Sequence, residues 1–340
     1  MRFRHMFSSP MMAVMAFILL LCQSIGTPAH AMRTNSGGSS EESADGSVTI
    51  TVSVESTSAS GGSSGGGGGA TTTSGSVETT VKPICYYKPS YTNEQVIELY
   101  DDLKDRFKWS EKTRDERRNK LYPGAESYVG QAGQWYKSFC DRTRAEDDEQ
   151  FRAAVKAFAP GRVYAKWVPA GSPPPIPPVD GKTLARAAMK AITIPPPTID
   201  RNPRLDGSEA TVVGYETWVW ATGETPSEVR ATATAGTSSA QVTAASTGLK
   251  LEAPDSQATC TGFGRPWTSD LPSNATSNCT LVFTRSSAHL GGTTPLTVSV
   301  NYHTTFTASD GTSGGLGVVS TRTETSIPVA EVQTLNTTDD

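Results

Sequence analysis

The C-terminal part of the chain alternates between apolar and polar residues. Leu296, Val298 and Val300 are separated by single polar residues, and the same period continues to Phe306. Successive side chains of a strand point to opposite faces, so a period of two is typical of a half-buried β-strand. Strands rich in Thr, Val and aromatic residues are predicted over residues 211–220, 227–235, 240–252, 279–286, 295–308 and 318–335. We therefore expect an antiparallel β-sandwich over residues 208–336.

Residues 81–168 carry helical patterns instead. Thr92 and Gln95 fit a capping box, in which the two side chains satisfy free backbone donors at a helix start. An apolar stripe at helical spacing follows them, formed by Val96, Leu99, Tyr100, Leu103 and Phe107. A second stripe begins at Phe151, after the acidic residues 146–149, which favour a helix N-terminus. The segment is predicted to be a small α-helical domain.

Two segments of biased composition connect these parts. Residues 32–80 are rich in Gly and Ser and predict a disordered arm, because few apolar residues are present to offset backbone entropy. Within the arm, residues 47–54 alternate strictly and predict one isolated strand. Such a strand needs a partner, either in its own domain or in a neighbouring subunit. Residues 169–207 predict a proline-rich linker with a short helix that begins after Asp180.

The N-terminal residues indicate where the protein works. Basic residues precede an apolar run over residues 11–22, and small residues lead to Ala31. This pattern predicts a secretory signal peptide over residues 1–31, cleaved after Ala31. The run is too short for a membrane span, so no stable span is expected after cleavage. The alternative is a lipid anchor at Cys22, which the bulky Leu21 just before it disfavours. A secreted protein, at the cell surface or free outside the cell, is therefore expected.

The cysteines agree with export. The chain has five, and four remain after the predicted cleavage: Cys85, Cys140, Cys260 and Cys279. An even number in an exported chain indicates disulfides. Three pairings are possible, and the different composition of the two regions favours Cys85–Cys140 and Cys260–Cys279.

No complete catalytic, cofactor-binding or metal-binding motif is found in the sequence. Residues 181–183 match only the tail of a phosphate-binding loop, because Ile176 stands where a Gly is required, so nucleotide is not expected. Beyond residue 31 only His289 and His303 remain, and without a nucleophile elbow they predict no Ser–His–Asp triad. No Cys-x-x-Cys pair suggests zinc. A formal net charge of −4 without a basic stripe argues against a nucleic-acid partner.

Phe263 and Trp267 are the candidate contact residues. Both lie between Cys260 and Cys279, on a loop that the favoured bridge would tether. Aromatic side chains on a tethered loop can form a contact surface for a cell-surface protein or a glycan. The alternative is that they pack over the end of the sandwich.

Several segments carry a resemblance to a known family. The motifs WVPAG at 167–171, IPPP at 194–197 and VVGYETWVW at 212–220 occur in this order, and Cys260 and Cys279 stand at paired-cysteine positions. Residues 163–336 thereby resemble secreted actinomycete-type proteins of uncharacterised function. That family is built on a polycystic-kidney-disease-like sandwich of immunoglobulin type. The resemblance implies fold and export, and it implies no catalysis.

These observations predict a secreted, non-enzymatic protein that binds a cell-surface or extracellular partner or has a structural role. Two alternatives remain. A glycan-active hydrolase of the cell envelope would need two carboxylates that lie far apart in sequence. An assembly component of a surface appendage would use residues 48–54 to pair with a neighbouring subunit.

Overall fold

The structure, a computed structural model, describes residues 46–58, 72–158 and 164–332. It is mostly β, with antiparallel sheets and few helices, and this confirms the predicted fold class at that level. The predicted signal peptide, with Cys22 and the cleavage site after Ala31, lies outside the described residues. Within the described ranges no helix is long and apolar enough to cross a membrane.

The elements are numbered in chain order. The strands are β1 (Val48–Ser58), β2 (Thr72–Val81), β3 (Cys85–Pro89), β4 (Gly133–Cys140), β5 (Ala165–Pro169), β6 (Thr198–Asn202), β7 (Thr211–Val212), β8 (Glu216–Thr222), β9 (Pro226–Ala235), β10 (Ser238–Ala245), β11 (Leu249–Glu252), β12 (Ser256–Cys260), β13 (Cys279–Phe283), β14 (Thr294–Ala308), β15 (Ser313–Ile327) and β16 (Val329–Ala330). The helices are α1 (Asn93–Phe107), α2 (Glu111–Leu121), α3 (Asp148–Phe158) and α4 (Gly181–Ala191).

Side-chain caps fix the starts of the first and third helices. The Thr92 hydroxyl accepts the N–H of Gln95 at 3.3 Å, and the Gln95 side chain accepts the N–H of Thr92 at 2.9 Å. This confirms the predicted capping box. At α3 the Asp147 carboxylate accepts the N–H of Gln150 at 2.7 Å, so the acidic run does begin a helix.

Two antiparallel sheets make up most of the β structure. A seven-stranded sheet has the order β11-β14-β10-β9-β1-β2, and β15 pairs with the remaining side of β14. A four-stranded sheet has the order β12-β13-β8-β6. The side chains of Leu281 and Val219, from the smaller sheet, pack in one buried cluster with Val298 and Val300 of β14. The two sheets therefore share a core.

The strand from residues 47–54 is not isolated, because β1 has a partner on each side. Val52 lies opposite Val77 of β2 and opposite Ala233 of β9. Ile50 and Val52 are buried in the core. Of the two alternatives for this strand, the structure shows the one in which it folds back onto its own chain.

The prediction of a disordered arm over residues 32–80 is wrong for residues 72–80. They belong to β2, which pairs with β1 along its whole length although its side chains are almost all exposed. Its order comes from the backbone ladder with β1, and a composition rich in Gly, Ser and Thr does not signal such a ladder.

The predicted linker over residues 169–207 contains part of the core. The short helix is present as α4, and its Leu184, Ala185 and Ala188 are fully buried against the seven-stranded sheet. β6 then pairs with β8 in the smaller sheet. Small alanine side chains let the helix approach the sheet closely, so this segment packs where a free spacer was expected.

The region over residues 81–168 is not purely helical. Beside α1, α2 and α3 it contains a three-stranded antiparallel sheet of order β3-β4-β5. Trp135 of β4 is 1% exposed and packs with Val96 and Tyr100 of α1. Burial does not alternate along β4, and the aromatic residues of these strands fit a helical core equally well.

Candidate functional site

Each of the four cysteines that the structure describes lies directly opposite another on a neighbouring strand. Cys85 of β3 faces Cys140 of β4 with Cα atoms 4.0 Å apart, and the two sulfur atoms are bridged. Cys260 of β12 faces Cys279 of β13 with Cα atoms 3.9 Å apart, and these are bridged as well. The structure thus contains the two pairings that the sequence favoured.

We expect non-reducing peptide mass spectrometry of the full chain to find these two links. The reason is the register, which places each cysteine opposite one partner only. A reduced sample digested in parallel should release all four peptides singly. A linked peptide joining Cys140 to Cys260 would contradict both the pairings and the strand registers.

The two candidate contact residues take different positions. Phe263 is half-buried against the shared core, and its carbonyl accepts the N–H of Ala221 at 2.7 Å. Trp267 is 43% exposed. The structure therefore assigns packing to Phe263 and leaves Trp267 as an exposed aromatic side chain of the tethered loop.

A polar cleft of about 280 Å³ lies next to the Cys260–Cys279 bridge. Lys250, Asn301 and His303 line it together with small polar residues, and no Asp or Glu is among the described residues that line it. A glycosidase site needs a pair of carboxylates, so this cleft does not supply one.

Lys182 of the incomplete phosphate-binding motif takes part in ion pairs. The ammonium of Lys182 lies 3.4 Å from Glu146 and 3.7 Å from Asp147, and Arg186 also pairs with Glu146. Contact with Arg186 holds the pKa of Glu146 below its ordinary value. Residues 181–183 form the first turn of α4, capped by Asp180. The acidic run and Lys182 thus link the start of α3 to α4.

Sequence reasoning missed a groove of about 550 Å³ beside α1 and α2, which we call the α1–α2 groove. Both apolar and charged side chains line it. The apolar residues are Tyr100, Leu103, Trp109 and Leu121, and the charged residues are Glu116, Arg117 and Lys120. An apolar surface beside charged groups is a common form of binding site.

Trp109 is held in place by its neighbours. The Phe107 ring stacks on the indole with centroids 5.5 Å apart and planes 17° apart. The Arg117 guanidinium lies 4.4 Å from the indole centroid. Lys108, in the left-handed region with φ of 53°, ends α1 and turns the chain so that Trp109 meets Phe107. Much of the π surface of Trp109 is therefore already occupied, whereas Phe107 stays 58% exposed.

A comparison of this chain with family models, curated proteins and solved structures found no match. The fold and the α1–α2 groove therefore carry the functional proposal.

Proposed function

We propose that this protein is a secreted, non-enzymatic binding protein of the cell surface or its surroundings, with the α1–α2 groove as its binding surface. Two disulfides support an extracellular setting, because such bonds persist in oxidising compartments. The two-sheet core and the family resemblance support a polycystic-kidney-disease-like sandwich as the scaffold. The single observation that carries the proposal is a groove lined by both apolar and charged side chains.

The groove suits a protein partner better than a glycan. Glycans are commonly held by a free aromatic face, and the indole of Trp109 already contacts Phe107 and Arg117. Trp and Arg are instead the residue types that dominate the energetics of protein–protein contacts. Leu103 and Leu121 add an apolar surface that an inserted side chain can cover.

The charged residues that line the groove indicate which kind of partner segment fits it. Arg117 and Lys120 line the groove with one carboxylate, Glu116, and this carboxylate lies 4.0 Å from Lys112. The charged residues that line the groove are therefore basic overall. It fits a segment in which an apolar side chain stands beside an Asp or Glu.

A displayed library of random peptides, selected on the immobilised full chain, tests this proposal. We expect enriched peptides that carry an apolar residue next to a carboxylate. Arg117→Glu should weaken their binding about tenfold or more, because it places like charges in contact. Trp267→Ala is the matched control: it removes an exposed aromatic side chain elsewhere and should leave peptide binding unchanged.

Two outcomes would contradict the proposal. One is selected peptides that bind wild type and the Arg117→Glu variant equally. The other is binding to an immobilised glycan that Trp267→Ala abolishes, which would transfer the function to the tethered loop. Thermal unfolding of each variant shows that the fold is intact.

A further inference from the structure

β15 forms one outer edge of the seven-stranded sheet. β14 pairs with it along nearly its whole length, from Thr294 opposite Ile327 to Thr307 opposite Ser313. Within the described ranges no other strand pairs with β15. The free N–H and C=O groups of a long edge strand are a template for a further strand.

Only the second part of this edge is regular. The register shifts between Thr304 and Thr305, opposite Gly317 and Gly315, and such a bulge interrupts strand pairing. From Val318 onward the pairing with β14 is continuous, and no proline occurs before Pro328. Residues 318–327 therefore form an uninterrupted edge without a proline or a bulge, two of the devices that block edge pairing.

The sequence of this edge is complementary to itself. When an antiparallel copy is placed with Thr323 opposite Thr323, Arg322 lies opposite Glu324, and this ion pair occurs twice. Thr321 then lies opposite Thr325. The remaining opposed pairs in this register are Ser320 with Ser326 and Val319 with Ile327. Opposite charges and Thr–Thr pairs directly across two strands are both favourable.

The faces of the sheet match in the same register. A two-fold axis normal to the sheet keeps the core face of one copy beside the core face of the other. Arg322 and Glu324 are each 67% exposed. Thr321, Thr323 and Thr325 are half-buried and lie opposite core residues of β14. In this register the charged residues of the two copies meet on the outer face of the sheet, and the threonines meet on the core face.

The charges on the strands beside β15 favour pairing with a second copy of the chain over a role in blocking such pairing. Ser299 of β14 lies between Lys250 of β11 and Arg322, and these three residues form one row across the sheet. Glu252 and Glu324 lie in the same way on the two sides of Thr297, in the next row. Each row therefore holds like charges. In the register centred on Thr323 the second copy extends each row with the opposite charge. Edges that repel other strands carry charges that clash in such pairings.

We propose that β15 pairs antiparallel with β15 of a second copy of this chain, in the register centred on Thr323, so that two seven-stranded sheets become one continuous sheet. The opposite edge of the sheet does not offer this. β2 carries Glu78 as its single charged residue, so no register of β2 against itself brings opposite charges together. This interface is independent of the α1–α2 groove.

Cysteine cross-linking of the full chain tests the register. Thr323→Cys should give a disulfide-linked dimer under mild oxidation, because the two new thiols face each other. Thr325→Cys is the matched control, half-buried on the same face. Its thiols would lie about 13 Å apart, since a strand rises ~3.3 Å per residue, so no dimer is expected.

Charge reversal tests the pairing chemistry. On the Thr323→Cys background, Arg322→Glu alone or Glu324→Arg alone should slow cross-linking about tenfold, because each places like charges opposite each other twice. Mixing the two variants should restore it as a mixed dimer. Both positions are exposed, and the ion pair that they form within one strand is worth little, so the melting temperature of the reduced monomer should change little.

Absence of a Thr323→Cys dimer would overturn the proposal, as would a dimer that forms equally well through Thr325→Cys. The first result would mean that another segment or another protein covers this edge. The second would mean that the copies meet in a different register.

Discussion

Trp135→Ala should lower the free energy of unfolding by about 4 kcal/mol, in the range measured for removing a buried aromatic side chain. Trp135 is 1% exposed, and its ring packs edge-on against Tyr122 and Tyr128 with centroids 5.4 and 5.7 Å apart. Its indole N–H also donates to the side-chain oxygen of Asn93 at 3.1 Å. Asn93 is fully buried, so the substitution leaves a cavity and a polar atom without a partner. Denaturant unfolding measures the loss.

One further variant separates the packing of the Trp135 ring from its hydrogen bond, and another serves as a control. Trp135→Phe keeps much of the volume and loses the N–H, so it should cost roughly 2 kcal/mol. Phe107→Ala removes a largely exposed ring of the same region and should cost under about 1 kcal/mol. Equal losses for Trp135→Ala and Phe107→Ala would show that Trp135 is not the centre of this core.

The features of the fold that sequence reasoning recovered are local ones. The capping box at Thr92 involves residues three apart and is satisfied by the first turn alone. The alternation in β14 reflects burial of every second residue from Leu296 to Phe306. Each pattern involves residues of a single helix or strand, so it can be recognised without knowing what packs against that element.

The features that it missed depend on contacts between distant segments. β4 has one fully buried residue, Trp135, among half-buried residues and one exposed residue, so its burial does not alternate. α4 looks like part of a linker until Ala185 and Ala188 meet the sheet. At Gly181 the backbone N–H donates to the Asp310 carboxylate at 2.8 Å, a contact between residues 129 positions apart. No local pattern encodes such pairings.

The candidate functional site was also predictable only in its local features. The bridge between Cys260 and Cys279 marks the tethered loop in the sequence, but exposure decides that Trp267 is free and Phe263 is packed. The α1–α2 groove exists because the turn at Lys108 brings Trp109 against two helices. The spacing of Phe107 and Trp109 around a helix end was its only signal in the sequence.

The tethered loop is also the place where one added methyl group should have the largest effect. Gly264 has φ of +80°, in the left-handed region, and a Cβ there would overlap the carbonyl oxygen of Val219 and the Cα of Trp220. The neighbouring bond from Ala221 to the Phe263 carbonyl holds the loop against β8, so the loop cannot move away without losing that bond. Gly264→Ala should therefore cost roughly 3 kcal/mol or more, the sum of backbone strain and overlap.

Gly214→Ala is the control that separates strain from overlap. Gly214 has the same φ of +80°, and a Cβ there meets no heavy atom within 4 Å. Gly214→Ala should therefore lower the free energy of unfolding by about 1 kcal/mol, the cost of an alanine in the left-handed region. The difference between the two variants in urea unfolding measures how closely the loop approaches β8. Equal losses would place the loop away from the sheet, and Phe263 would then not be fixed by packing and would again be a candidate contact residue beside Trp267.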